Sequence, residues 1–202
     1  MSAGNSAAAH AAQVGRGRLW QRLLAGAGYI TPGYAQAQQQ ARSWGEGAVG
    51  EAWTKKLLAP LAGESWWVLH DRRIGDRANL DHVLVSPCAR LVVVDSKRWR
   101  ADWPVRMARG RVCRGPVDVT EEVAKAGRLA EWARQTVGAE SVLPIVAVHG
   151  APVAGGGFQE GTVAVLPADR LLAELRSIAG QQDPRAEELA AKANRLLPRY
   201  VQ

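Results

Sequence analysis

Two short apolar runs joined by a four-residue turn dictate a β-hairpin in the middle of this chain: Asn79-Leu80-Asp81-His82-Val83-Leu84-Val85, then Ser86-Pro87-Cys88-Ala89, then Arg90-Leu91-Val92-Val93-Val94-Asp95-Ser96-Lys97. Strand side chains alternate between faces, so Asp95 and Lys97 share a face. A register centred on Cys88 sets Ser86 against Arg90, Leu84 against Val92 and Asp81 against Asp95. Directly opposed Cβ atoms lie roughly 4.5–5.5 Å apart, and like charges there are destabilising. Asp95 also ends the apolar run Leu91 to Val94, the pattern of a strand covered on both faces. Carboxylates in such a place require a cation. A divalent metal beside Lys97 is the expected one. Mg²⁺ (or Mn²⁺) takes oxygen ligands, keeps several waters, and is commonly held by one or two carboxylates plus a substrate phosphate. The chemistry this implies is phosphoryl displacement, with Lys97 positioning or activating water and stabilising developing negative charge.

Charge points to the same class of partner. The 202 residues carry a formal +7 with a pI near 10, which favours a polyanion such as nucleic acid. From Lys97 to Arg114, seven basic residues (Lys97, Arg98, Arg100, Arg106, Arg109, Arg111 and Arg114) face one acid, Asp102. Residues 1–44 add Arg16, Arg18, Arg22 and Arg42 with no acid, so the remainder of the chain is net negative. The positive charge therefore lies beside the carboxylate pair and in the N-terminal tail.

The hydrophobic content of 47% supports a real core. Residues 1–33, rich in Ala, Gly and Gln, read as a flexible basic tail in which Arg18 to Ala25 has the pattern of a short amphipathic helix. Residues 34–180 read as one domain and 181–202 as a C-terminal helix. Within them, a helix is expected over Tyr34 to Leu61, closed by Pro60 and Gly63, then a strand over Trp66 to Leu69 and a charged loop over Asp71 to Arg77. After the carboxylate hairpin, Trp103 to Ala108 and Arg111 to Arg114 can pair across Arg109-Gly110. Asp118 or Thr120 caps a helix to about Val137. Pro144 to Val148 reads as a central strand, Thr162 to Leu166 as another, and Pro167 and Asp183-Pro184 open the last two helices. This order gives a mixed sheet flanked by helices, α/β or α+β.

Other constellations carry less. Gly45-Glu46-Gly47-Ala48-Val49-Gly50 matches a dinucleotide fingerprint, with Asp71 at the acidic spacing, but no buried strand precedes it. Its glycines are better suited to bringing the helix close to the sheet, with Glu51 reaching the carboxylate face. His82 points away from Asp81 and reads as a packed strand residue, as does His149 at the end of its strand. Trp99 and Trp103 flank the basic stretch, where packing is the expected role. Cys88 and Cys113 lack metal-finger spacing and read as reduced core or turn residues. There is no serine or cysteine nucleophile signature. No apolar run reaches membrane-spanning length and there is no signal-peptide pattern, so the expected compartment is the cytoplasm.

Together, Gly47-Ala48-Val49-Gly50-Glu51 on a helix, Leu80-Asp81-His82-Val83 on a strand, and Val93-Val94-Asp95-Ser96-Lys97 followed by Arg98-Trp99 resemble the nuclease-related domain (NERD) of the PD-(D/E)xK restriction-endonuclease-like superfamily. The resemblance covers about residues 44–175. It implies an α/β/α core with a mixed central sheet, and a metal-dependent nuclease acting on DNA; the residues alone leave RNA open as the alternative polyanion. Asp81 and Asp95 are then metal ligands, Glu51 the helix acid that helps hold metal or water, and Lys97 the catalytic lysine. Arg98, Arg100, Arg106, Arg109, Arg111 and Arg114 would hold the backbone. Leu80 stands where the superfamily name has Pro, and Asp95 is one methylene shorter than the more usual Glu. Where many relatives carry Gln on the following helix, this chain reads Glu121-Glu122-Val123-Ala124-Lys125. The rival implication is a catalytically silent nucleic-acid-binding module, and a third is an interaction domain whose tail docks a partner.

Overall fold

The structure is a computed structural model that describes residues 48–75 and 78–200. The expected tail, its basic helix, Gly45, Gly47 and the first part of the opening helix lie outside the described residues.

Helix α1 occupies residues 48–58 and runs into a 3-10 turn at Ala59–Gly63, where Pro60 removes a backbone donor. Then come β1 (Trp67–Ile74), β2 (Ala78–Val85) and β3 (Leu91–Arg98). A small excursion follows, β4 (Val105–Ala108), β5 (Arg111–Arg114) and β6 (Val117–Asp118), before α2 (Thr120–Val137). The chain closes with β7 (Val142–His149), β8 (Phe158–Glu160), β9 (Val163–Pro167), α3 (Ala168–Ser177) and α4 (Arg185–Leu196). The main sheet has the order β1-β2-β3-β7-β9-β8, antiparallel at both edges and parallel at β3-β7 and β7-β9. This is an α/β fold with a mixed central sheet flanked by helices.

Alternation along the central strands builds the layers. Leu91 and Val93 point to one face, under Ala130, Ala133 and Val137 of α2 and Leu189, Ala190 and Ala193 of α4. Val92 and Val94 point to the other, under Leu58 of α1 and Leu171 and Leu175 of α3. A third cluster joins Val146 and Val148 of β7 to Val105 and Val112 of the small sheet. The helix ends follow their local chemistry. Gly138 closes α2 in the left-handed region at φ 68°, and the Asp118 carboxylate accepts from Thr120 N–H at its start. Asp183 accepts from Arg185 N–H at the start of α4 in the same way.

Two expectations are corrected. The charged segment after Leu69 is not a loop, because β1 continues through Asp71, Arg72 and Arg73 to Ile74. Arg72 is buried there because its guanidinium donates to Leu197 O at 3.1 Å and to Asn194 Oδ1 at 2.9 Å. Backbone bonds from Arg73 N to Pro198 O and from Tyr200 N to Asp71 O tie the chain's last described residues onto this edge. The opposite edge strand, β8, was missed because its three residues, Phe158–Glu160, are too few to show a period.

Candidate active site

The hairpin adopts the register read from the sequence, with Leu84 opposite Val92 and Ser86 N–H donating to Arg90 O at 2.9 Å. Regular pairing stops at His82 and Val94. Beyond that point β2 stays with β1, β3 stays with β7, and the two halves part. The Asp81 carboxylate enters the fork, where its Oδ2 accepts Ser96 N–H at 2.7 Å. That N–H sits where a strand carbonyl would otherwise have received it. Simple alternation therefore does not describe Asp81. Leu80 and Val83, an odd number of residues apart, share one core cluster, while the β1 register runs unbroken past Asp81 from His70–His82 to Arg72–Leu80.

The cause lies partly in β1. Asp71 has φ 57°, a left-handed conformation that Asp tolerates better than most residues, within an extended strand. Its neighbours His70 and Arg72 pair with His82 and Leu80, which brackets Asp71 opposite Asp81. Asn79 donates to Asp71 Oδ1 at 3.2 Å. Three adjacent strands thus bring Asp71, Asp81 and Asp95 into one transverse row. Sequence reasoning placed Asp71 in a loop and missed this. The signal available was the antiparallel register itself, which, extended from β2 to a strand running on past Leu69, sets Asp71 opposite Asp81.

Lys97 Nζ lies 2.8 Å from Asp95 Oδ2 and donates to Oδ1 at 3.2 Å, with both side chains about a quarter exposed (27% and 24%). Glu51 arrives from α1 and is buried, 8% exposed. Burial, then Asp81, Asp71 and Asp95, push its carboxyl up to about 9. Burial and then Asp95 raise Asp81 to about 7, against the opposing pull of Lys97 and the Ser96 N–H. Burial works against the Lys97 charge, but Asp95 and Asp81 overcome it and hold the ammonium well above its usual range. Glu122, in the first turn of α2, adds to that field. One cation among several acids leaves a deficit of positive charge.

Carboxylate oxygens are the donors that Mg²⁺ and Mn²⁺ take, and Asp95 Oδ2 is enclosed with its ion pair but no aligned hydrogen bond. The donor chemistry fits such an ion. Among the described residues no three His, Cys, Asp or Glu side chains stand in an arrangement that closes on a metal; in this arrangement Lys97 lies against Asp95.

Behind the acids, polar groups fix the elements that carry them. Ser96 Oγ donates to Thr54 Oγ1 at 2.8 Å, Thr54 Oγ1 donates to Gly50 O at 3.1 Å, and Thr54 lies 2.7 Å from His149 Nε2. This chain locks α1 to β3 and β7. Gly50 lies against Arg98 and His149, but a methyl there would meet only ordinary van der Waals contacts of 3.4 Å and longer. The close approach expected of this glycine is therefore one that alanine would also permit. His82 is fully buried, 2.8 Å from His70 through their Nδ1 atoms, and burial holds both imidazoles neutral. It packs, as His149 does.

The arginines divide. Arg100 and Arg111 are paired with Asp102 and Asp118, each at 2.7 Å. Arg114 lies over Trp99 and Trp103, 5.5 and 5.8 Å from the ring centroids. Trp99 is buried, and Trp103 packs on Gly115. Arg106 and Arg109 project from the β4-β5 hairpin into solvent and form none of the ion pairs among the described residues. Arg98 ends β3 beside Lys97, its guanidinium 5.3 Å from the Trp53 ring. The local charge is thus partly neutralised by pairs that a count along the sequence overlooks.

The family model of the nuclease-related domain matches residues 46–149, just over half of the chain, and spans Glu51, Asp81, Asp95 and Lys97. The chain belongs to the nuclease-related domain family. No curated protein and no solved structure matches it. Among the described residues no helix is long and apolar enough to cross a membrane. The matched region of this nuclease-related domain ends at His149, so β8, β9, α3 and α4 complete the fold outside the match.

Proposed function

We propose that this chain is a metal-dependent nuclease that hydrolyses DNA phosphodiester bonds at the Glu51, Asp81, Asp95 and Lys97 cluster. The observation that carries the reading is the crowding of the Glu51, Asp81 and Asp95 carboxyl groups around one ammonium, with Asp81 held by Ser96 N–H at 2.7 Å and Lys97 Nζ 2.8 Å from Asp95. Asp81 and Asp95, helped by Glu51, would hold a divalent cation, Mg²⁺ or Mn²⁺, which when bound supplies Lewis acidity and a lowered water pKa. Asp81 is oriented by Ser96 N–H, so its second oxygen is free of the backbone bond. Lys97, kept cationic by its acid neighbours, would orient the attacking water and stabilise charge developing on the phosphate. Arg98, Arg106 and Arg109 would take backbone phosphates, which favours recognition by charge and shape over sequence.

The contact between Lys97 and Asp95 also supports a second reading, a nucleic-acid-binding module without turnover, because the lysine already neutralises one acid. Cleavage of labelled single- and double-stranded DNA, titrated with Mg²⁺ and Mn²⁺, separates the two. The nuclease cuts only with metal and loses about 10²–10³-fold or more in rate with Lys97→Ala or Asp95→Asn. Binding that survives both substitutions, with no cutting under any divalent metal, establishes the silent module.

A further inference from the structure

We propose that Trp53 and Arg98 form a stacking subsite for an unpaired nucleobase on the α1 side of the sheet, carried by the same elements as the acid–lysine cluster. The inference rests on the nuclease reading and specifies the form of substrate that the site engages. Tryptophan normally contributes by burial, and Trp66 and Trp99 follow that rule at 4% and 6% exposure. Trp53 does not, being 42% exposed on α1, one turn after Val49, which is 37% exposed. Trp132 is similarly exposed but lies against Gly75, with no cation over its ring among the described residues.

Placement makes Trp53 different. It stands on the helix that carries Glu51, and the guanidinium over its ring belongs to Arg98, which shares with Ser96 the face of β3 turned to α1, opposite to that of Lys97. Arg98 is in register with His149 on β7, whose ring lies 5.6 Å from that of Trp53 at a tilt of 59°. His149 is held by Thr54, and Thr54 by Ser96, so the platform stands on the same three elements that carry the cluster. Indole and guanidinium planes are both surfaces on which unpaired bases stack. Arg98 has no acidic partner among the described ion pairs, so its charge remains available to the phosphate attached to a stacked base. A paired base inside a duplex has its faces covered by its neighbours. The surface therefore suits a single strand.

Binding of the full chain, measured by fluorescence anisotropy in EDTA, tests this with three probes: labelled oligothymidylate, the same strand annealed to its complement, and an abasic strand of equal length. Wild type should prefer oligothymidylate over the abasic strand. Trp53→Ala should weaken oligothymidylate about tenfold while leaving the abasic strand and the duplex little changed, and Trp53→Phe should restore most of the loss. An equal loss on thymidylate and abasic strands, or no loss on either, overturns the subsite. A fold defect would weaken all three probes alike, and rescue by Phe distinguishes it. Because no metal is present, absence of cleavage in other assays would remove the nuclease reading and leave a base-dependent preference standing. A wild-type chain that binds none of the probes removes the subsite and leaves the nuclease reading to the metal-titrated cleavage assay.

Discussion

The two ends of the central hairpin are made from the same strands and do opposite things. At the turn end Val83, Leu84, Val85, Leu91 and Val92 are fully buried, and the backbone ladder is regular down to Ser86 and Arg90. At the other end β2 and β3 part after His82 and Val94, a side chain replaces a ladder acceptor, and acids gather in the gap. The difference teaches how like charges are kept together. The closed end cannot spread without opening the core, so the carboxylates cannot relax apart, and Glu51 and Asp81 instead hold their protons more tightly. A rigid, stable half holds an electrostatically unfavourable half, the arrangement that commonly limits stability at functional sites.

The largest effect should come from breaking the closed end. Leu84→Ala removes a fully buried side chain and should cost about 2–5 kcal/mol in urea unfolding, by the same amount with or without Mn²⁺ and across pH. At the open end, Lys97→Met leaves the acids without their cation. The pair is about a quarter exposed, so the expected loss is smaller, about 1–3 kcal/mol. Unlike the core variant, it should shrink on acidification, as Glu51 and Asp81 take up protons, and on adding Mn²⁺. A loss equal at acid and alkaline pH would break the contrast between the two ends.

The pH dependence has a definite sign. Glu51 and Asp81 are raised above their unfolded values, so the folded chain binds more protons than the unfolded one in the window between them. Their contribution is fully present below about pH 4 and is lost as pH rises through about 7 for Asp81 and about 9 for Glu51. Without metal, unfolding titrated over that range should show stability falling. Glu51→Gln replaces the most perturbed acid by a neutral isostere, should raise alkaline stability by about 1–2 kcal/mol, and should flatten the slope. A variant that stabilises the fold while lowering cleavage would mark Glu51 as functional. One that destabilises at alkaline pH would remove the electrostatic account.

Much of this was legible in the chain. Period-two alternation, a Pro-containing turn and a continuous Val run set the hairpin register, and the Asp118 and Asp183-Pro184 signals set the starts of α2 and α4 close to where they lie. What was not legible depended on partners distant in sequence. Asp71-Arg72-Arg73 reads as a solvated loop because nothing local reveals that Leu197 O and Asn194 will receive Arg72. The order of Asp81 and Asp95 was readable, but the fork was not, because it turns on a side chain taking the place of a ladder acceptor, Asp81 Oδ2 receiving Ser96 N–H, which no alternation pattern encodes. The charge of the 97–114 stretch was overstated for a similar reason, since Asp118 lies beyond it and pairs with Arg111.

Asp71 offers the finest test of the comparison, because its backbone and its charge can be separated. Asn tolerates the left-handed region nearly as well as Asp, so Asp71→Asn should leave metal-free stability near neutral pH within about 0.5 kcal/mol. Removing its carboxylate withdraws one cause of the raised affinity at Glu51 and Asp81. The falling limb of the stability–pH curve should therefore move to lower pH. Asp71→Ala loses the same charge and also the short polar side chain by which Asp and Asn tolerate φ 57° through local hydrogen bonds, and should cost about 1 kcal/mol more than Asn. Asp71→Gly has no such strain and should fall between them, set back only by its looser unfolded chain. If all three variants behave alike, the left-handed turn in β1 contributes no strain. If Asn leaves the pH curve where it was, Asp71 stands apart electrostatically from the row that the register gives it.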